Sequence, residues 1–136
     1  MDSGYRDLGD GYSLRDLSYV NTSQISVPSE SGWGIAVKTH VLDYAFDSTF
    51  IIAAQRPWDS VPEVRFTKYW KNSVFNKSTF VQYWIINKKE ECIWYYDTLT
   101  QQGYYSNVYG PFKRKEYLEK RERLGVPVNL KLSKYD

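Results

Sequence analysis

Ile35-Ala36-Val37-Lys38-Thr39-His40-Val41-Leu42, then Phe46-Asp47-Ser48, then Phe50-Ile51-Ile52-Ala53-Ala54-Gln55 is the stretch that decides the fold class. In its first part Ile35, Val37, Thr39 and Val41 alternate with Ala36, Lys38, His40 and Leu42, which is the two-residue period of a strand. Phe46-Asp47-Ser48 carries turn chemistry, because a short acidic side chain can bond the backbone just ahead of it. The continuous apolar run from Phe50 to Gln55 reads as a return strand buried on both faces, ended by Pro57. A β-hairpin is therefore predicted here.

The same reading extends in both directions. Upstream, residues 1–11 are rich in Gly and Asp and read as a flexible lead-in, with a domain over 12–136. Tyr12 to Leu17 and Ser23 to Val27 read as short strands. Downstream, residues 57–78 fit neither period and read as a long connection punctuated by Pro57, Asp59, Pro62, Asn72 and Asn76. A second hairpin is predicted from Thr79–Ile86, a turn at Asn87-Lys88-Lys89-Glu90, and a return over Glu91–Tyr96. A polar connection follows, then a strand over Tyr104–Tyr109 broken at Gly110-Pro111-Phe112. From Lys113 to Leu124 the period changes. Tyr117, Leu118, Arg121 and Leu124 fall on one helical stripe, and Glu116/Lys120 and Glu119/Arg123 are favourably ordered pairs four apart. Gly125 stops this helix, Val126 can fold back on it, and Pro127 prevents continuation. Asn129 to Leu132 reads as a short edge strand. The expected class is α+β, mostly antiparallel β with about six to eight short strands in a sheet or partly open barrel, closed by one C-terminal amphipathic helix.

At 136 residues the chain has the size of one domain and buries about two-thirds of its unfolded surface. Eighteen basic and 16 acidic side chains leave a net charge of +2, too balanced to drive binding to nucleic acid. Lys113-Arg114-Lys115, Lys120, Arg121 and Arg123 are interleaved with Glu116, Glu119 and Glu122, which describes a solvated helix face rather than a phosphate footprint. No long apolar run spans a bilayer, and Met1-Asp2-Ser3-Gly4-Tyr5 has neither the basic start nor the apolar stretch of a signal peptide. The expected location is cytoplasmic as written, or the envelope if a native leader has been removed.

Catalytic chemistry finds few partners. His40 is the sole histidine, so any Ser-His or Cys-His pair must use it, and its setting between Thr39 and Val41 reads as a sheet position. Cys92 is the sole cysteine; beside Ile93, Trp94 and Tyr95 it reads as a small buried hydrophobe. One Cys and one His cannot close a zinc site, and no phosphate-cradling glycine loop or calcium loop is present. A carboxylate pair such as Asp43 and Asp97, converging across a sheet, is what a small hydrolase would need. No cofactor and no metal are expected, and the chain reads as a protein that is not an enzyme.

The surplus lies in aromatics, with 13 Tyr, 6 Phe and 5 Trp. Trp33, Trp58, Tyr69, Trp70, Tyr104, Tyr105 and Tyr109 lie in or beside predicted loops, where flat rings stack on sugars or fill a protein interface. They are the candidate ligand-binding residues, for a glycan or a protein partner.

The runs Tyr83-Trp84-Ile85-Ile86-Asn87-Lys88 and Val108-Tyr109-Gly110-Pro111-Phe112, and the helix ending Arg123-Leu124-Gly125-Val126-Pro127, resemble an uncharacterised family of small envelope lipoproteins of Gram-negative bacteria. Ala53-Ala54-Gln55-Arg56-Pro57 is similar to that family's central strand, and Leu8-Gly9-Asp10-Gly11-Tyr12 to the segment after its lipid-carrying cysteine. The chain departs from it in lacking a lipobox cysteine, so membrane attachment would need an anchor absent here, and in placing Lys113 where relatives offer a capping Ser or Thr. The resemblance implies an envelope-associated binding module and no catalytic residues. The alternatives are a cytosolic interaction protein of the immunity or adaptor type, and the carboxylate-dependent hydrolase.

Overall fold

The structure is a computed structural model and describes residues 5–16, 23–28, 34–58 and 78–135. Among them lie ten antiparallel strands in three sheets and one C-terminal helix, an α+β arrangement with no closed barrel. Strands β1 (Tyr5–Gly9), β2 (Tyr12–Arg15), β3 (Gln24–Ser26) and β4 (Ile35–Val37) form the first sheet in sequence order. Strands β5 (Val41–Phe46), β6 (Phe50–Gln55), β7 (Gln82–Asn87) and β10 (Val108–Phe112) form the second, in the order β10-β7-β6-β5. Strands β8 (Trp94–Asp97) and β9 (Gln102–Tyr105) pair only with each other.

The β5–β6 hairpin forms where the turn chemistry put it. Asp47 Oδ1 accepts the N–H groups of Thr49 at 2.8 Å and Phe50 at 2.6 Å, which closes the turn. All six residues of β6 are buried because the second sheet is the middle layer of three. One of its faces sends Ile51, Ala53 and Ile86 against Leu8, Tyr12, Ile25 and Val37 of the first sheet. The other sends Phe50, Ile52, Tyr83 and Ile85 against Tyr117, Val126 and Leu132 of the helix and tail. Alternation along β7 divides its side chains between the layers as the strand period requires: Tyr83 and Ile85 face the helix, Trp84 and Ile86 the first sheet.

Helix α1 (Arg114–Leu124) begins without a capping side chain at Lys113, but Glu116 Oε1 accepts the Lys113 N–H at 2.9 Å. It ends in a Schellman arrangement: Gly125 is left-handed at φ 79°, and Gly125 and Val126 donate to the Glu122 and Arg121 carbonyls. No helix among the described residues is long and apolar enough to cross a membrane.

Several elements differ from the sequence-based expectation. The lead-in is, from Tyr5 to Gly9, strand β1, paired with β2 and burying Leu8. The single strand expected across Ile35–Leu42 is two strands in different sheets, separated at Lys38-Thr39-His40. Alternation has the same phase on both sides of the break, so it cannot reveal that the chain changes sheets. Residues 91–96 do not return along β7; β10 takes that edge, and β8 pairs instead with β9. Cys92 is accordingly half-buried ahead of β8 rather than within a buried strand, and Ile93, Trp94 and Tyr95 are exposed. Tyr104–Tyr109 is split between β9 and β10, and β10 runs through Gly110 and Pro111 to Phe112. Asn129–Leu132 is not a strand; Lys134 N–H bonds Asp43 Oδ2 at 2.8 Å and Leu132 is buried, so the tail is held as an irregular strap.

Candidate functional site

The face of the second sheet that meets the first is apolar along most of its length. At one end its character changes to Gln55, Gln82 and Trp84, and there the layers enclose a cavity of about 540 Å³. The β5–β6 ladder continues past its strands to place one wall. His40 and Arg56 exchange two backbone bonds of 3.0 Å, and Trp58 N–H donates to Thr39 O at 3.0 Å, which fixes Trp58 opposite Thr39. Arg56 Nε donates to Phe80 O at 2.9 Å and holds Phe80 at the same rim. Tyr104 and Tyr105 arrive from β9. Five aromatic residues, Trp58, Phe80, Trp84, Tyr104 and Tyr105, therefore line one cavity from three separate segments.

The floor is polar, and its buried amide is engaged from within. Buried Gln55 accepts from Gln82 Nε2 at 2.9 Å and Trp84 Nε1 at 2.7 Å, and donates to Lys38 O at 2.8 Å. Two amides and an indole so committed hold the Trp84 ring in one orientation. Among the described lining residues Lys38 supplies the one formal charge, and none of them is a carboxylate. The base of the β8–β9 hairpin is fastened by Asn107, fully buried, which donates to Tyr12 OH at 2.6 Å and Asn87 O at 2.9 Å. Burial pushes the Tyr12 pKa up to about 12, and burial also raises Cys92 and Tyr105. A thiol shifted that way stays protonated at neutral pH, which suits a packing role over a nucleophilic one.

Of the candidate aromatics, Trp58, Tyr104 and Tyr105 converge on this cavity. Tyr109 does not: it packs on the helix side, with its hydroxyl donating to Glu90 at 2.8 Å and Lys120 Nζ 5.0 Å from its ring. Trp33, Tyr69 and Trp70 lie outside the described residues. Sequence reasoning missed Phe80, Trp84, Gln55 and Gln82, whose strand periodicity marked them as sheet residues without saying which face would stay open. It also missed how far Trp94, Tyr95 and Tyr96 stand in solvent, each at least half exposed.

The other candidate chemistries are dispersed. Asp43 bonds Tyr44 and the tail, while Asp97 closes the β8–β9 turn on Leu99 N–H at 2.8 Å. His40 is half-buried just before β5, its Nδ1 accepting the Ser23 N–H at 3.2 Å, and burial lowers its pKa. Among the described residues no three His, Cys, Asp or Glu side chains gather as a metal site would require.

A family profile described as a protein of unknown function, DUF3997, matches residues 9–136. The chain belongs to that family. The match starts at Gly9, the last residue of β1, and takes in every described lining residue of the cavity. No curated protein and no solved structure matches the chain.

Proposed function

We propose that this DUF3997 protein is a non-catalytic binding module whose site is the aromatic cavity. The observation that carries the reading is the convergence of Trp58, Phe80, Trp84, Tyr104 and Tyr105, from segments far apart in sequence, on one concavity of about 540 Å³. A volume of that size sits within the roughly 300–1,000 Å³ usual for ligand pockets, and rings with a few oriented polar groups are their usual lining. That no described lining residue is a carboxylate favours binding over hydrolysis in this reading, since glycoside hydrolysis of the usual kind uses two acids flanking the scissile bond.

Tryptophan fluorescence titrated with panels of soluble oligosaccharides and short peptides tests this. Trp58→Ala is expected to weaken the best binder by about tenfold or more, as loss of a buried aromatic anchor does, with the thermal midpoint little changed. If Trp58→Ala unfolds the protein, Trp58 is core, and Tyr104→Ala carries the same test. Binding that neither substitution affects would remove the cavity as the site.

The resemblance of Tyr83–Lys88, Val108–Phe112 and Arg123–Pro127 to small Gram-negative envelope lipoproteins supports placing the module in the bacterial envelope, behind a leader and a lipid-carrying cysteine. Fractionation of the native protein with intact-mass measurement checks this. The expected result is a processed, lipid-heavy species in the membrane fraction. A soluble, unprocessed protein starting at Met1 would overturn the envelope placement and favour an intracellular interaction role.

A further inference from the structure

Which residues line the cavity reveals how each strand faces it. A cavity lying over the face of a strand touches alternate residues, because successive side chains point to opposite sides. Strand β7 behaves this way, contributing Gln82 and Trp84. Strand β9 does not: Gln102, Gly103, Tyr104 and Tyr105 all line the cavity. Consecutive residues meet a cavity that borders a strand's edge, where backbone N–H and C=O groups project.

The register says which groups these are. Ser106 N–H donates to Ile93 O at 2.9 Å, and the ladder pairs Trp94 with Tyr105, Tyr95 with Tyr104, Tyr96 with Gly103 and Asp97 with Gln102. Hydrogen-bonded and non-bonded pairs alternate in an antiparallel ladder. Counting from the bonded Ile93/Ser106 pair, Tyr104 and Gln102 bond to β8, while Gly103 and Tyr105 direct their backbone groups away from it. That free edge belongs to a two-stranded hairpin, and hairpins of this size gain stability from a third strand. Ile35 and Ala36 of β4 also line it as neighbours, and β4 is the edge strand of its sheet.

We propose that the cavity takes an extended peptide segment that pairs as a third strand with the Gly103 and Tyr105 edge of β9 and turns an acidic side chain toward Lys38. This rests on the binding-module reading above and names the class of ligand. Main-chain bonds supply affinity in such strand addition, and pockets for alternate side chains supply selectivity. Trp58 and Trp84 provide apolar contact for those side chains. A sugar would need polar groups placed for its hydroxyls, and the buried Gln55 amide is already taken up by Gln82, Trp84 and the Lys38 carbonyl. Lys38, exposed and with no acid among the described lining residues, favours a carboxylate.

The test uses the full chain and a pool of end-capped hexapeptides, each with one glutamate, alongside matched glutamine peptides, versions N-methylated at alternate residues, and a panel of soluble oligosaccharides. Affinity is read by tryptophan fluorescence, and amide exchange by NMR. The expected result is that glutamate peptides bind and slow exchange at Gly103 and Tyr105, with little change at Gln102 and Tyr104. N-methylation should cost about tenfold or more, from the loss of two or so backbone hydrogen bonds. Lys38→Met should cost the glutamate peptides about two- to fivefold and the glutamine peptides nothing, the scale of an exposed ion pair. Oligosaccharide binding alone, or peptide binding sensitive to Trp58→Ala without protection at Gly103 and Tyr105, overturns strand addition and leaves the binding-module reading standing. Binding by neither class, or binding indifferent to both Trp58→Ala and Tyr104→Ala, overturns both.

Discussion

Lys88→Met is expected to lower the unfolding free energy by about 2–4 kcal/mol, read as a drop in the denaturant midpoint at unchanged slope. Lys88 follows β7 in a turn, yet it is buried. Its ammonium donates to Leu8 O at 2.5 Å and Asp47 O at 2.6 Å, and lies 5.4 Å from the centre of the Phe46 ring. Leu8 belongs to the first sheet and Asp47 to the β5–β6 turn of the second, so one side chain ties two layers. Gly9 is part of the same device: a Cβ there would stand 2.7 Å from Lys88 Nζ, and its φ of 91° disfavours any other residue. Methionine keeps the apolar stem but leaves two carbonyls without their donor, each costing about 1–3 kcal/mol if buried, partly offset because no charge is then desolvated. A loss below about 1 kcal/mol would mean that water reaches both carbonyls.

The sign of the pH dependence also follows. Burial lowers the Lys88 pKa, so the unfolded chain holds this proton more tightly, and stability rises with pH between the folded value and about 10.5. The methionine variant lacks that slope. Tyr12 acts in the opposite direction: its folded pKa of about 12 exceeds the ordinary 10.0, so its contribution is full below pH 10 and is lost toward pH 12.

Arg121→Met is expected to have an effect of similar size on the other side of the molecule. Arg121 is buried, with one guanidinium nitrogen donating to Tyr117 OH at 3.0 Å and the other to Pro127 O at 2.9 Å and Leu130 O at 2.5 Å. Tyr117 in turn stacks on Tyr83 with ring centres 4.7 Å apart. The planar fork thus joins helix, sheet and tail, and removing it should cost about 2–4 kcal/mol, the scale of leaving several buried acceptors unpaired. The strap from Val126 to Tyr135 should become the first site of proteolytic cleavage and lose amide protection at Leu130. Arg121→Lys should recover less than half of the loss, because a single ammonium cannot span the same acceptors. Full recovery by lysine would show that charge alone holds the strap.

These two residues mark where sequence reasoning reaches its limit. The sequence marks Lys88 as a turn residue and counts Arg121 both on the helical stripe with Tyr117 and among the charges of a solvated face. Each is buried because acceptors arrive from elsewhere, in the case of Lys88 from a strand 80 positions away. The candidate site divides in the same way. Trp58, Tyr104 and Tyr105 were legible as large rings beside turns. Trp84 and Phe80 were not, since a strand residue's period reveals that it has two sides but not which side is left uncovered.

What the sequence determined by itself is the set of features that rest on neighbours within a few residues: the Asp47 turn, the double-sided burial of β6, the helix over 113–124 and its Gly125 stop. Each is encoded in a short-range interaction, a side chain bonding its own backbone or a period of apolar residues. The tertiary structure alone decided the sheet change at Lys38-Thr39-His40, the choice of β10 over β8 as the partner of β7, and the cavity that these choices leave open. Strand pairing joins backbones whose N–H and C=O groups are the same in every residue. Many pairings are therefore locally equivalent, and the one adopted is set by which faces, rings and buried charges can be satisfied together.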